Sequence, residues 1–315
     1  MPRPILGLAL ALALPGFAAA QSVTVYTAGP ADLIDALAAG FTASTGTQVE
    51  VFQATTGQVM ARLEAEAASP VADVLISASL DTAVDFDARG LLLPHGAENA
   101  ATVPDFLKSE TWVTQGVAAL AIAWNPASGT PRPADWADLT DEAFRDLVTM
   151  PDPSSSGSAY ELVAALSASE AYGWSLFEDL KANGMIVPGA NAQALNPVLQ
   201  GAKAAVFGAV DYIAMNQAAA GESIEVILPA SGTVIAPRPM MVLSTAPNPD
   251  GARAFIDYVL SDEGQAMVAA VNLMPARTDV AADRPLIGDL TVLEVDPAAD
   301  RGATLARFGE IVGAN

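Results

Sequence analysis

The sequence of 315 residues contains no cysteine and a single histidine, His95. The missing cysteine excludes disulfide bonds, thiolate metal sites and cysteine nucleophiles. His95 lies in a Pro-His-Gly turn, which predicts an exposed loop residue rather than part of a catalytic triad or a zinc site. The signatures of P-loops, zinc hydrolases and serine-hydrolase elbows are missing too. We therefore expect a protein that is not an enzyme; a secreted hydrolase using serine–lysine or carboxylate chemistry is the enzymatic alternative.

Basic residues are scarce as well, since 14 lysines and arginines stand against 36 acidic residues. The resulting formal net charge of −22 repels nucleic acid and anionic membranes, so we expect no nucleic-acid partner. This charge favours solubility, but it does not define a ligand, because a binding site can differ in sign from the surface around it.

Long hydrophobic runs are absent except at the N-terminus. There, Arg3 precedes an apolar run at residues 5–14, and small residues follow at 18–20. This order is typical of a secretory signal peptide, which we place at residues 1–20 with cleavage near Gln21. The run is shorter than the ~20 residues that a spanning helix needs. We therefore expect an exported protein of the periplasm, without a lipid anchor because no cysteine lies near the cleavage point.

Short apolar strands alternate with amphipathic helices along the mature chain. Strands are expected at residues 23–26, 49–53 and 73–76, with helices between them whose apolar residues recur every three or four positions. This rhythm predicts an α/β fold with parallel pairing and helices on both faces of the sheet. The rhythm returns after about residue 115. There, helical segments are predicted over residues 136–147, 158–183, 250–260 and 262–270.

Two units of similar plan predict two lobes, each a mixed sheet flanked by helices. We expect the first lobe to comprise residues 22–102 and 233–280, because residues 240–243 are typical of a strand that returns to the first sheet. The second lobe is expected over residues 103–232, with the tail 281–315 packing on it. By analogy, two such lobes in an exported chain indicate a hinged protein that closes around a ligand in the cleft.

Small hydroxyl residues follow four of the predicted strands, at residues 27–30, 55–57, 77–79 and 154–158. In open α/β sheets the ligand crevice lies at the carboxyl ends of the strands, where helix N-termini present free N–H groups and a positive dipole end. These turns therefore predict an anion site, although each of them also fits an ordinary helix N-cap. The candidate residues are Thr27, Thr56, Gly57, Ser77, Ser79, Ser156, Gly157 and Ser158.

Three further residues are candidates with an open alternative each. Asp211 could pair with a ligand ammonium group or cap the helix that follows it. The phenol of Tyr212 could donate a hydrogen bond or stack on a ligand. Arg277 could clamp an anion with its guanidinium group or form a structural salt bridge.

Several motifs in order resemble the extracellular solute-binding protein family of ABC transporters, which contains ferric-ion-binding and 2-aminoethylphosphonate-binding proteins. The resemblance covers nearly the whole mature chain. It implies a two-lobed fold, a small anionic ligand, a cognate ABC permease in the inner membrane, no cofactor and a monomer. The motifs that carry it lie at residues 23–26, 72–75, 155–157, 246–249, 255–257 and 261–265.

In the iron-binding branch of this family, a histidine, a glutamate and two adjacent tyrosines hold the metal. The resemblance places these at Pro30, Ala78, Asp211 and Tyr212, so only one tyrosine is retained. No metal is therefore expected, unless Tyr212 and Asp211 hold ferric iron together with a carried anion. That iron importer is the first alternative.

The anion-binding part of the family site is retained, at Ser156, Gly157, Ser158 and Asn191. Residues 274–277 also resemble a Met-Pro-x-Arg stretch of the phosphonate branch. The resemblance therefore implies a ligand that contains phosphonate or phosphate, such as 2-aminoethylphosphonate, with Asp211 available for its amine. Ligand capture for transmembrane transport is the function we expect.

Overall fold

The computed structural model describes residues 22–295 and 299–313, so the predicted signal peptide lies outside the described residues. In these two ranges no helix has the length and apolar character needed to cross a membrane. The strands are β1 (Val23–Thr27), β2 (Val49–Gln53), β3 (Val74–Ile76), β4 (Leu92–Leu93), β5 (Trp112–Trp124), β6 (Val148–Thr149), β7 (Ala205–Val210), β8 (Glu225–Ile227), β9 (Ile235–Leu243) and β10 (Met274–Pro275). The helices are α1 (Ala31–Thr45), α2 (Thr56–Ala65), α3 (Leu80–Ala88), α4 (Gly157–Ala168), α5 (Gly173–Ala182), α6 (Asn191–Leu199), α7 (Asp211–Ala219), α8 (Pro249–Val259), α9 (Asp262–Ala270) and α10 (Arg301–Val312).

The strands form a mixed sheet in the order β2-β1-β3-β9-β5-β7-β6. The pairs β1–β2, β1–β3 and β6–β7 are parallel, as the β-α-β rhythm predicts. β9 returns antiparallel to β3 with Met240 opposite Ile76, which confirms the predicted return strand. The two-lobed α/β architecture is confirmed; we call the half around β1–β4 the first lobe and the half around β6–β8 the second lobe.

Two long strands, β5 and β9, connect the lobes. β5 is buried along its whole length, and it pairs with β9 and β10 in its first part and with β7 and β8 in its last part. The register between β5 and β9 shifts between Thr114 and Val117, whose partners are Pro239 and Pro237. Proline has no N–H to donate to a ladder, so the hydrogen bonding of the two strands is interrupted where they pass between the lobes.

Each lobe has an aromatic contact at the centre of its core. In the first lobe, Phe41 of α1 meets Phe255 of α8 edge to face, with ring centroids 5.4 Å apart. In the second lobe, Phe177 of α5 contacts Phe207 of β7 at 6.0 Å and Phe308 of α10 at 5.8 Å. The helix of the C-terminal tail therefore lies against α5, and such aromatic pairs add about 1 kcal/mol each beyond their burial.

Two helical segments differ from the sequence prediction. The long helix expected over residues 158–183 is two helices, because α4 ends at Ala168 and Gly173 adopts a positive φ of 62°. A residue with positive φ cannot continue an α-helix, and glycine adopts this conformation without a Cβ clash, so Gly173 begins a separate helix. The segment 136–147 forms two 3₁₀ turns, Trp136–Thr140 and Glu142–Phe144, rather than an α-helix.

The exposure predicted for His95 is wrong, because only 6% of the residue is accessible. Its Nδ1 accepts a hydrogen bond from the N–H of Ala97 at 3.0 Å, and its Nε2 lies 3.1 Å from the carbonyl oxygen of Ser109. Burial lowers the pKa of His95, which keeps the ring neutral. The side chain therefore fixes a turn of the first lobe.

Candidate ligand-binding cleft

A cleft of about 550 Å³ lies where the two lobes face each other. It is lined by the N-terminal ends of five helices, counting their N-caps: α1 and α2 from the first lobe and α4, α6 and α7 from the second. No Asp, Glu, Lys, Arg or His is present among the described residues that line it. In a chain of net charge −22, this cleft is thus free of carboxylates and surrounded by the positive ends of helix dipoles.

The five helices differ in whether a side chain caps their N-terminus at the cleft. Thr55 forms a capping box with Gln58, and the hydroxyl of Ser156 accepts a hydrogen bond from the N–H of Ala159 at 3.3 Å. By contrast, the N-caps of α1, α6 and α7 make no side-chain hydrogen bond to their helix. Since the first N–H groups of a helix have no partner within it, the N-termini of α1 and α6 offer donors to a ligand, whereas in α7 the N–H of Tyr212 already donates to Asp211.

The structure brings Ser156, Ser158 and Asn191 together. The Ser156 hydroxyl donates to Oδ1 of Asn191 at 2.9 Å and lies 3.1 Å from the hydroxyl of Ser158. Ser156 and Asn191 line the cleft, whereas Ser158 is fully buried beneath it. The serine turn at the start of α4 is thus held by α6, which fixes the direction of its donors.

Gly57 and Gly157 allow the two lobes to touch. The N–H of Gly57 donates to the carbonyl oxygen of Ser155 at 3.3 Å across the boundary between the lobes. A Cβ added to Gly157 would lie 2.9 Å from both Cβ of Ser79 and Oγ1 of Thr56. Both glycines were candidate residues of the anion site, and in the structure they let one lobe approach the other.

Thr56 is the candidate of the first lobe with an unused hydroxyl. The residue lines the cleft, it is 4% exposed, and its Oγ1 has no hydrogen-bond partner among residues 22–295 and 299–313. A buried hydroxyl without a partner is destabilising. This arrangement therefore indicates a group that a ligand would satisfy.

The hydroxyls of Thr27, Ser77 and Ser79 stabilise turns beneath the cleft. Thr27 accepts from the N–H of Gly29 at 2.9 Å, and Ser77 bonds to Thr82 at 3.0 Å. Ser79 contacts the carboxyl groups of Asp81 and Glu161. None of the three lines the cleft in the described part of the chain.

The carboxylate of Asp211 lies in an internal ion pair. It contacts the guanidinium group of Arg284, and it also accepts hydrogen bonds from the N–H groups of Ala119 at 2.9 Å and of Tyr212 at 2.7 Å. Burial raises the pKa of Asp211, and Arg284 opposes that shift. In place of the expected ligand amine, Asp211 therefore has a buried arginine as its partner.

Arg277 forms two salt bridges. Its guanidinium group lies 2.8 Å from Asp262 and 2.7 Å from Asp279, and it donates to the carbonyl oxygen of Leu260. It is not among the residues that line the cleft. The position of Arg277 is therefore that of a structural salt bridge, which was one of its two predicted roles.

Sequence reasoning missed Arg238, which lies beneath the cleft. Its Nη1 donates to the carbonyl oxygen of Ala28 at 3.1 Å, and its Nη2 donates to the hydroxyl of Tyr212 at 3.4 Å. Ala28 and Tyr212 both line the cleft. A charged residue between two prolines in an otherwise apolar strand was the signal available in the sequence.

Sequence comparison agrees with the geometry of two lobes around a cleft. The model of the bacterial extracellular solute-binding protein family matches residues 69–296, which is more than two thirds of the chain. The chain belongs to this family. It is the solute-binding component of an ABC importer, and the expectation of such a transport function is confirmed.

Curated relatives of this solute-binding protein differ in their named ligands. A putative 2-aminoethylphosphonate-binding periplasmic protein of Salmonella typhimurium is 27% identical over 253 residues, covering 76% of this chain and 73% of the relative. Iron uptake protein A1 of Synechocystis is 26% identical over 304 residues, covering 87% and 82%. The family therefore includes proteins with different named solutes.

Solved structures show the same fold. The periplasmic binding protein AfuA of Actinobacillus pleuropneumoniae, with fructose-6-phosphate bound, superposes with a TM-score of 0.84 at 20% identity, covering 93% of this chain and 99% of AfuA. Iron-bound HitA of Pseudomonas aeruginosa superposes with a TM-score of 0.80 at 21% identity, covering 92% and 99%. At this level of identity the likeness concerns the fold of this solute-binding protein.

Proposed function

We propose that this protein captures a small organic anion with a phosphonate or phosphate group in the periplasm and delivers it to an inner-membrane ABC permease. The observation that carries the proposal is the convergence of five helix N-termini on a cleft without charged lining residues. The first lobe comprises residues 22–102 plus 233–280, and the second lobe comprises residues 103–232. Thr56 of the first lobe and Ser156 of the second then contact the ligand from opposite sides. No reaction on the ligand is part of the proposal.

The anionic group would lie at the start of α4. There it would receive N–H groups of the first turn, together with the amide N–H of Asn191, whose side chain the Ser156 hydroxyl holds in place. A phosphonate or phosphate suits this site because its oxygen atoms accept several hydrogen bonds at once and its charge is favoured by the helix dipole. The names of two similar proteins, one with 2-aminoethylphosphonate and one with bound fructose-6-phosphate, support a phosphorus-containing ligand.

The iron alternative has weaker support from the cleft. Ferric iron is a hard cation that needs anionic oxygen ligands. Tyr212 is the one residue of that kind among the described residues lining the cleft, and burial raises the pKa of its phenol. Iron would therefore require a carried anion and further oxygen ligands from solvent.

An enzymatic function is also disfavoured by the arrangement. The Ser156 hydroxyl donates to the Asn191 amide rather than to a base, and the described lining holds no histidine, lysine or carboxylate that could activate it. General-base activation of a serine requires such a group within hydrogen-bond reach.

The test is the melting temperature of ligand-stripped mature protein with phosphate, fructose 6-phosphate, 2-aminoethylphosphonate, ethylphosphonate and ferric citrate. A ligand at one hundred times its Kd stabilises the folded state by ~2.7 kcal/mol, which shifts the melting temperature by several degrees. A shift with a phosphorus-containing anion supports the proposal. A shift with ferric citrate alone would favour the iron importer.

A pair of N-cap variants separates binding from stability. Ser156→Ala removes the cap of α4 at the cleft, and Ser261→Ala removes the equivalent cap of α9, where Ser261 accepts from Gly264 at 3.2 Å. Each loses about 1 kcal/mol of stability. Only Ser156→Ala is expected to weaken ligand binding; equal affinities in the two variants would contradict the proposed position of the anion.

A further inference from the structure

Arg238 is a buried cation with no carboxylate partner. The residue is 1% exposed, and none of the ion pairs formed within the described ranges includes it. Its Nε makes no hydrogen bond to those residues either. A charge taken out of water without a counter-ion destabilises the folded protein. The missing negative charge must therefore come from elsewhere.

The contact between Arg238 and Tyr212 orients the phenol. A guanidinium group has only donors, so the hydroxyl oxygen of Tyr212 must accept the hydrogen bond from Nη2. The hydroxyl proton then points away from Arg238 and is left for a group in the cleft, which Tyr212 lines. Burial raises the pKa of Tyr212, so the phenol keeps this proton. Tyr212 thus presents a donor, supported from behind by a positive charge.

We propose that Arg238, acting through the Tyr212 phenol, is the counter-charge that selects ligands with an anionic group and no ammonium group. This inference rests on the proposed function and narrows its ligand class. An ammonium group in the cleft would face the donor of Tyr212 and the field of Arg238, with no carboxylate among the described lining residues to pair with it. An oxyanion there would accept from Tyr212 and balance the buried charge. Arg238 is a positioning residue, since Tyr212 stands between it and the cleft.

The test uses two pairs of compounds that differ only in an amine, ethylphosphonate with 2-aminoethylphosphonate and propionate with β-alanine. Affinities are measured by titration calorimetry on ligand-stripped mature protein. The amine-free member of a pair is expected to bind roughly tenfold tighter, which corresponds to 1.4 kcal/mol. Equal or tighter binding of 2-aminoethylphosphonate would overturn the inference and leave the proposed function intact.

The comparison of propionate with β-alanine distinguishes a failure of the inference from a failure of the proposed function. A preference for propionate without any binding of phosphorus compounds would support the inference and overturn the phosphorus part of the proposed function. Absence of binding to all four compounds, and to phosphate and fructose 6-phosphate, would overturn both.

Amino-acid substitutions test whether Arg238 is responsible for the preference for ligands without an amine. Arg238→Met is expected to lower the affinity for ethylphosphonate about tenfold and to abolish the preference over the amine. Tyr212→Phe keeps the arginine and removes only the donor, so it tests the same point if Arg238→Met does not fold. Arg132→Met, which removes an exposed arginine paired with Glu225, is the matched control and should leave both affinities unchanged. If Arg238→Met and Tyr212→Phe both keep the wild-type preference for the amine-free ligand, the proposed role of Arg238 is wrong.

Discussion

The hydroxyl of Ser79 donates a hydrogen bond to the carboxyl group of Glu161 at 2.7 Å, across the boundary between the two lobes. The same oxygen of Glu161 accepts from the N–H of Leu80 at 2.6 Å, at the start of α3. Ser79 also contacts Asp81, which pairs with Arg301 of the C-terminal helix at 2.8 Å. Because one hydroxyl proton serves two carboxyl groups, a proton on Glu161 completes the network.

The first prediction concerns the pH dependence of this network. Burial, and next the nearby Asp81, raise the pKa of Glu161 from 4.5 to about 7. A carboxyl whose folded-state pKa lies above its unfolded value makes the folded state less stable as the pH rises between the two values. Since one pKa unit corresponds to ~1.4 kcal/mol, the contribution is roughly 3 kcal/mol over that interval. Tyr160 faces the same carboxyls, but burial raises its pKa to about 12, so its phenol does not titrate in this interval.

Glu161→Gln tests this dependence because its amide donates at every pH. The melting temperature of the variant relative to wild type is expected to rise between about pH 5 and about pH 8. Burial lowers the pKa of His95, so its contribution to the pH dependence has the opposite sign, but it is common to both proteins and cancels in the difference. Glu178→Gln, at an exposed pair with Arg307, is the control. A constant difference would show that Glu161 does not titrate there.

The second prediction concerns contact between the lobes. Gly157→Ala would place a Cβ 2.9 Å from Ser79 and Thr56 of the other lobe, so the lobes cannot close fully. We expect ligand affinity to fall by roughly tenfold or more, with little change in the stability of the ligand-free protein. Titration calorimetry measures the first and thermal unfolding the second. Gly288→Ala, at a position with nothing within 4 Å, should behave as wild type. Wild-type affinity in Gly157→Ala would show that this contact does not limit binding.

The third prediction concerns the ion pair of Asp211 and Arg284, whose side chains are 1% and 3% exposed. Arg284→Met leaves the carboxylate buried without its partner, which costs about 3–5 kcal/mol. The melting temperature is expected to fall by more than about 6 °C. The exposed Arg132 provides the control, because removal of a surface salt bridge changes stability by about 1 kcal/mol or less. A loss no larger than that of Arg132→Met would mean that Asp211 is neutral in the fold.

Local patterns in the sequence were sufficient to predict most helices and strands and part of the candidate site. Short apolar segments predicted β1–β3 and the return strand β9, and serine and threonine caps predicted the turns at Thr56 and Ser156. These features depend on neighbours within a few residues, where backbone preference and capping act. The break between α4 and α5 was not predicted, because the sequence alone does not show that Gly173 has a positive φ, and a single glycine is compatible with a helical pattern.

The sequence by itself determined the family, the alternation of strands and helices, and the hydroxyl-bearing turns that follow the strands. Only the tertiary structure decided the partner of each charged side chain: Asp211 meets Arg284 from 73 residues away, and Arg238 meets Tyr212 rather than a carboxylate. The physical reason is that electrostatic partners depend on which strand ends and helix termini meet in space. That arrangement is set by packing over the whole chain, and no pattern of neighbouring residues records it.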